Sequence, residues 1–182
     1  MKKIFSILII VLVLFSCESD VKFSDPGFQG RKDNFAWRAD LTVAHFEAYD
    51  AATDPNDGYL TITAYRGLEV VTLQVPFRRD IGITKFNPQI FTLGPTADVS
   101  DDIFASYQYE DEGFALTYAT DPGEYPDGDS VGNAGITINE YDTTEFTVSG
   151  TFKFNAKYMG ESTVVEDNVN FQEGVFYHIP LQ

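Results

Sequence analysis

Gly58-Tyr-Leu-Thr-Ile-Thr-Ala-Tyr65 decides the fold. Leu60, Ile62 and Ala64 recur at every second position, and Tyr59, Thr61, Thr63 and Tyr65 fill the positions between. A period of two is that of a pleated strand with one dry and one wet face. Arg66-Gly67-Leu68-Glu69 then reads as a tight hairpin turn, and Val70-Val-Thr-Leu-Gln-Val75 as the returning strand.

The same pattern recurs along the chain. In Glu145-Phe-Thr-Val-Ser-Gly-Thr-Phe-Lys-Phe154, the residues Phe146, Val148, Gly150, Phe152 and Phe154 share a side. Gly150 has no side chain to pack in mid-strand, so a bend or bulge is expected there. Further strands are expected at 36–40, 44–49, 90–93, 105–109, 114–119, 135–141, 168–172 and 175–179. Asp54-Pro-Asn-Asp-Gly58, Asp121-Pro-Gly123, Asp127-Gly128 and Gly132-Asn133 supply turn chemistry between them. The single helical expectation downstream is a short turn near Thr96–Ile103, with Thr96 as its cap. The fold class is therefore all-β: an antiparallel sandwich or partly open barrel of about nine or ten strands.

Composition narrows the function. Among 182 residues, 12 Lys and Arg stand against 28 Asp and Glu, a formal net charge of −16. Such a body repels phosphate backbones, which excludes nucleic acid as a partner. The single cysteine, Cys17, leaves no internal disulfide to form.

Met1-Lys2-Lys3 is a cationic start, and Ile4 to Phe15 is apolar except for Ser6. Twelve helical residues span about 18 Å, short of the roughly 30 Å hydrocarbon core, so the segment reads as a signal peptide. Leu14-Phe15-Ser16-Cys17 resembles the bacterial lipobox. The resemblance implies cleavage after residue 16 and acylation of Cys17 with palmitate-type chains, a permanent membrane anchor. The expected organisation is a signal peptide over 1–16, a lipidated flexible tether over 17–34 and one all-β domain over 35–182. Glu18-Ser19-Asp20 is similar to the acidic export signal of some Bacteroidota lipoproteins, which implies an outer-membrane location, facing the periplasm or the cell surface.

Gly150-Thr-Phe-Lys-Phe-Asn-Ala156 and Glu173-Gly-Val-Phe-Tyr-His-Ile-Pro180 resemble the closing strands of an uncharacterised Bacteroidota lipoprotein family. Phe35-Ala-Trp-Arg-Ala39, Gly58–Thr63, Ser106-Tyr107 and Gly135-Ile-Thr-Ile138 are similar to its earlier strands. The resemblance implies fold and location, and it brings no functional residue with it.

Few residues suggest chemistry. His45 and His178 sit in strand contexts without the spacing of a zinc site or the neighbours of a catalytic triad, so no catalytic residue and no cofactor is assigned. Asp127-x-Asp129 followed by Gly132 partly mimics a calcium loop, but Val131 and Ile138 stand where oxygen ligands belong. Asp127 and Asp129 are thus weak metal candidates, and a solvated loop is the plainer reading. Asp98, Asp101 and Asp102 read likewise. Arg78, Arg79 and Lys85 form a basic cluster that either neutralises nearby carboxylates or receives an acidic partner.

Tyr59, Tyr65, Tyr107 and Tyr109 are the candidate ligand-binding residues. Outward tyrosines pair across strands, and they also make platforms for sugars or peptides. The functional expectation is a lipid-anchored, non-catalytic recognition module contacting another envelope protein or a glycan. A lipocalin-like carrier of a small apolar ligand is the alternative, and a small two-carboxylate hydrolase the third reading.

Overall fold

The computed structural model describes residues 27–93, 103–120, 132–160 and 165–182. These contain eleven strands: β1 Gly27–Lys32, β2 Phe35–Arg38, β3 Leu41–Asp50, β4 Asp54–Arg66, β5 Glu69–Arg78, β6 Gln89–Leu93, β7 Phe104–Asp111, β8 Phe114–Ala119, β9 Gly132–Asp142, β10 Thr147–Tyr158 and β11 Asn168–Pro180. They form one antiparallel sheet in the order β2-β1-β11-β10-β8-β7-β5-β4-β3.

The sheet forks at β10. Thr147–Ala156 of β10 pairs with β9, which in turn pairs with β6, whereas Lys157 and Tyr158 pair with β8. Two leaves therefore leave β10 and fold face to face. Contacts between strands that are not neighbours show this: Tyr107 on β7 meets Phe171 on β11 at 5.6 Å between ring centroids, and Phe77 on β5 meets Tyr141 on β9 at 4.9 Å. Gln182 N–H donates to the Ala44 carbonyl at 3.0 Å, bringing the chain end beside β3, but the sheet is not closed into a barrel.

Aromatic rings fill the space between the leaves. Phe28 stacks on Phe152 at 4.6 Å and Phe154 on Phe171 at 4.7 Å, with Trp37 edge-on to both Phe28 and Phe171. All of these rings are buried. Stacked and edge-on pairs of this kind add about 0.5–1.5 kcal/mol each beyond simple area burial.

The Gly67-Leu68 turn joins β4 to β5 as expected, with Gly67 at φ +56° in the first central position, where a type II′ turn takes glycine. The bulge expected at Gly150 is present: the register with β9 shifts between Ser149 and Gly150. A Cβ there would strike the Thr137 carbonyl and the Phe176 ring.

Several expectations are corrected. Asp54–Gly58 and Gly132-Asn133, read as turns, lie inside β4 and β9. The tether does not extend to residue 34, because Gly27–Lys32 is a strand held between β2 and β11 with Phe28 in the core. Phe146 does not share the apolar side of β10. It sits in the turn before that strand at φ +50° and is exposed. The segments 168–172 and 175–179 are one strand, continued through a left-handed residue at Glu173. The helical turn proposed from Thr96 lies outside the described residues except for Ile103.

Register sorts the connections into two ends. At one end lie Asp33-Asn34, Gly67-Leu68, Glu112-Gly113 and the β10–β11 connection. At the other lie Gly27, residues 51–53, 79–88 and 143–146, and Leu181-Gln182. The chain from residue 26 therefore enters at the second end, called here the entry end.

Gly150→Ala is expected to lower unfolding stability by about 3 kcal/mol, because the methyl group must displace backbone and a packed ring. Gly67→Ala, with open space around it, should cost only about 1 kcal/mol of left-handed strain. Urea unfolding of both variants checks the order, and equal losses would contradict it.

Candidate functional site

Alternation places Ala105, Tyr107 and Tyr109 on one face of β7 and Ser106, Gln108 and Glu110 on the other. Ala105 and Tyr107 are buried, so that face points inward. This corrects the expectation that Tyr107 and Tyr109 lie outward with Tyr59 and Tyr65. Tyr59 and Tyr65 do take the outer face of β4, and Tyr59 packs edge-on against Tyr49 at 4.3 Å.

The inward tyrosines meet two others. Tyr107, Tyr109 and Tyr118 lie 5.7–6.3 Å apart by ring centroid, and Tyr158 adjoins Tyr118 at 5.4 Å. Beside them opens a cleft of about 280 Å³ at the end away from Gly27, lined by the three tyrosines, Glu69, Lys32 and Glu166 among others. Of the four tyrosines named from sequence, Tyr107 and Tyr109 are brought together here, and Tyr59 and Tyr65 are not among the lining residues.

One carboxylate organises this cleft. Glu69 begins β5 and accepts the Tyr107 hydroxyl at 2.5 Å and the Trp37 indole N–H at 3.1 Å, with Arg66 Nε at 3.6 Å. Lys32 closes a further side: its ammonium lies 3.3 Å from Asp33 and 5.0 Å from the Tyr107 ring centroid. That is the geometry of a cation on the negative face of an aromatic ring.

The hydroxyls of Tyr107 and Tyr118 titrate far above the ordinary tyrosine range. Burial is the main cause for both. For Tyr107 the hydrogen bond to Glu69 and its charge add to this, and for Tyr118 the neighbouring Tyr109, then Glu166. Burial also raises the Tyr141 hydroxyl.

A second cleft, of about 420 Å³, is lined by Glu140, Asp142, Glu145, Thr147, Ser149 and His178. Asp142 accepts the backbone N–H groups of Thr144 and Glu145 at 2.7 and 3.1 Å, which hold its carboxyl below the usual range. A general acid needs the opposite shift. His45 is exposed on β3, and His178 N–H donates to Ser149 Oγ at 3.0 Å.

Two of the three residues of the basic cluster pair with carboxylates. Arg78 contacts Asp54, Asp80 and Asp57 at 3.1, 3.3 and 4.0 Å, and Lys85 contacts Glu140 at 3.5 Å. Arg79 bonds Asn56 and lies over the Phe46 ring. Cys17, Asp127, Asp129 and the acids at 98, 101 and 102 lie outside the described residues. Among the described residues, no three His, Cys, Asp or Glu side chains converge as a metal site.

The tyrosine shifts set an alkaline limit. In the unfolded chain tyrosine ionises near pH 10, while folded Tyr107, Tyr118 and Tyr141 keep their protons above it. Stability is therefore fully present below about pH 10 and falls as pH rises beyond it. Denaturant midpoints between pH 8 and 11.5 should be flat and then drop. Absorbance near 295 nm should show the buried tyrosines ionising only with unfolding, and full titration of the folded protein would contradict the assignment.

No curated protein and no solved structure matches the chain. A family model does, over residues 24–180, beginning just before β1 and ending with β11. The chain belongs to the family described as a domain of unknown function, DUF6252.

Proposed function

We propose that the chain is a lipid-anchored recognition module of the bacterial cell envelope, held by acylated Cys17 in the outer membrane and working by binding rather than catalysis. The lipobox-like Leu14–Cys17 supports the anchor. The observation that carries the binding role is the cleft of Tyr107, Tyr109 and Tyr118 with Glu69, placed at the end opposite the entry of the chain. An anchored domain so built presents this cleft away from its tether.

The ligand this cleft suits is an organic ammonium group, such as a lysine side chain of a partner protein. Lys32 already rests its ammonium on the Tyr107 ring. Glu69, Asp33 and Glu166 make the lining acidic, and a body of net charge −16 attracts cations to it. Phe35 and Leu68, 78% and 66% exposed in the turns beside Asp33 and Glu69, give a protein partner apolar surface to cover. A glycan is the second reading, favoured by the tyrosines and Asn168 along the same cleft.

The other readings have less support. The space between the leaves is occupied by phenylalanine rings where a carrier would hold its ligand. The hydrolase reading needs a carboxyl with raised affinity for its proton, and Asp142 shows the reverse.

Titration with n-butylammonium and with a lysine-containing peptide, followed by NMR, tests the ligand class. Binding is expected with Kd of about 1 mM for the free amine, weakened about ten-fold by Tyr109→Ala or Glu166→Gln. A positive glycan array with no amine binding would replace the ligand. Silence in both would remove the cleft from the function.

A further inference from the structure

The entry end carries an apolar projection that nothing in the core explains. Phe86 is 101% exposed and Ile81 is 50% exposed, both in the connection between β5 and β6. Exposed apolar residues also tip the opposite end of the sheet, at Phe35, Leu68 and Phe114, and this loop is braced as they are. Ile83 is buried and exchanges backbone hydrogen bonds with Tyr141, at 3.2 Å from its N–H and 2.9 Å to its carbonyl. The Tyr141 hydroxyl donates to the Arg79 carbonyl at 3.1 Å. Asn87 N–H donates to the Thr84 carbonyl at 2.9 Å, closing a turn whose two central residues are Lys85 and Phe86. The fold thus holds an aromatic ring out on a fixed support, with a basic residue beside it.

We infer that residues Ile81 to Phe86 are a membrane-contact loop, which places Ile81 and Phe86 in the interfacial layer of the bilayer that anchors the chain. The inference rests on the lipid-anchor reading at Cys17. Cys17 and Gly27 are ten residue steps apart, a reach of at most about 35 Å. Gly27 lies at the same end of the sheet as this loop, so the anchor keeps that end turned toward the lipid. The exposed Phe146 lies at this end too, sharing a cleft with Arg79.

Charge selects the kind of surface. Arg78, Arg79 and Lys85 stand among Asp54, Asp57, Asp80, Glu140, Asp142 and Glu145, so the end is acidic and has no cationic excess. Anionic headgroups are therefore not the attraction, and a zwitterionic interface is the better match. One aromatic and one aliphatic side chain would bind a bilayer only weakly from solution. Tethering makes the contact intramolecular at millimolar effective concentration, where weak insertion suffices to fix orientation.

The test uses the full acylated protein in zwitterionic phosphatidylcholine vesicles with Phe86→Trp as the reporter. Phe86 is fully exposed, so the substitution leaves the core untouched, and native Trp37 is buried and serves as the internal control. With lipids brominated in the upper acyl chain, emission from the introduced tryptophan should fall about two-fold or more, while the unsubstituted protein changes little. Unchanged emission in brominated vesicles would overturn the inference. So would a spectral shift that depends on protein concentration and ignores bromine, which would mean that a second copy covers the ring. Intact-mass measurement of the same sample reports the acyl groups on Cys17 separately. Should they be missing, a maleimide phospholipid coupled to Cys17, the only thiol in the chain, restores the tether, and the quenching then decides the loop contact alone.

Discussion

The carboxylate of Glu69 ties the two leaves together. Its donors come from different strands: the Trp37 indole from β2 and the Tyr107 hydroxyl from β7. Hydrogen bonds to a charged acceptor contribute about 1.5–3 kcal/mol each, against roughly 1 kcal/mol for neutral pairs. Deleting the acceptor would also strand two donors in a largely dry setting, so the cost of losing Glu69 exceeds the worth of its bonds. Trp37 in turn seats edge-on against Phe28 and Phe171, and Tyr107 against Phe171. The aromatic core and the tyrosine cleft are therefore one mechanical unit, and the cleft has its shape because the core below it is closely packed.

That coupling favours contact over proton transfer at these tyrosines. Tyr107 and Tyr118 hold their protons more firmly than free tyrosine, so neither is a ready base at neutral pH. A rigid ring with few rotatable bonds is instead a low-entropy contact surface. The acidic lining gives that surface a sign, which Lys32 on the Tyr107 ring partly offsets.

Local repeats carried much of the fold into view. The alternation in Gly58–Tyr65 and the Arg66–Glu69 turn need only near neighbours, and both stand in the structure as β4, its turn and β5. Gly150 was legible because a glycine among phenylalanines has a steric meaning wherever it occurs. The β1 strand was not, since Gly27-Phe-Gln-Gly-Arg-Lys32 offers a single apolar side chain and owes its pairing to β11 at the opposite end of the chain. The facing of β7 was readable but misjudged: Ala105 sets the buried parity, and Tyr107 and Tyr109 follow it. Glu69, Lys32, Tyr118 and Glu166 carried no warning, because they converge from separate strands and a connection, and no spacing in the sequence joins them.

Both ends of the molecule are acidic, and they differ in how the charge is arranged. At the entry end Arg78 meets three carboxylates, in pairs exposed enough that each contributes little to stability. One guanidinium against three carboxylates leaves this end acidic, so apolar contact there falls to the projecting Ile81 and Phe86 and not to the charged rim. At the opposite end Glu69, Asp33 and Glu166 gather around one ammonium, and the balance stays acidic. What further distinguishes the two ends is shape: a braced, projecting loop at one and a tyrosine-lined cleft at the other. Under the proposed anchor at Cys17, lipid contact at the base leaves the cleft at the opposite end open to a partner.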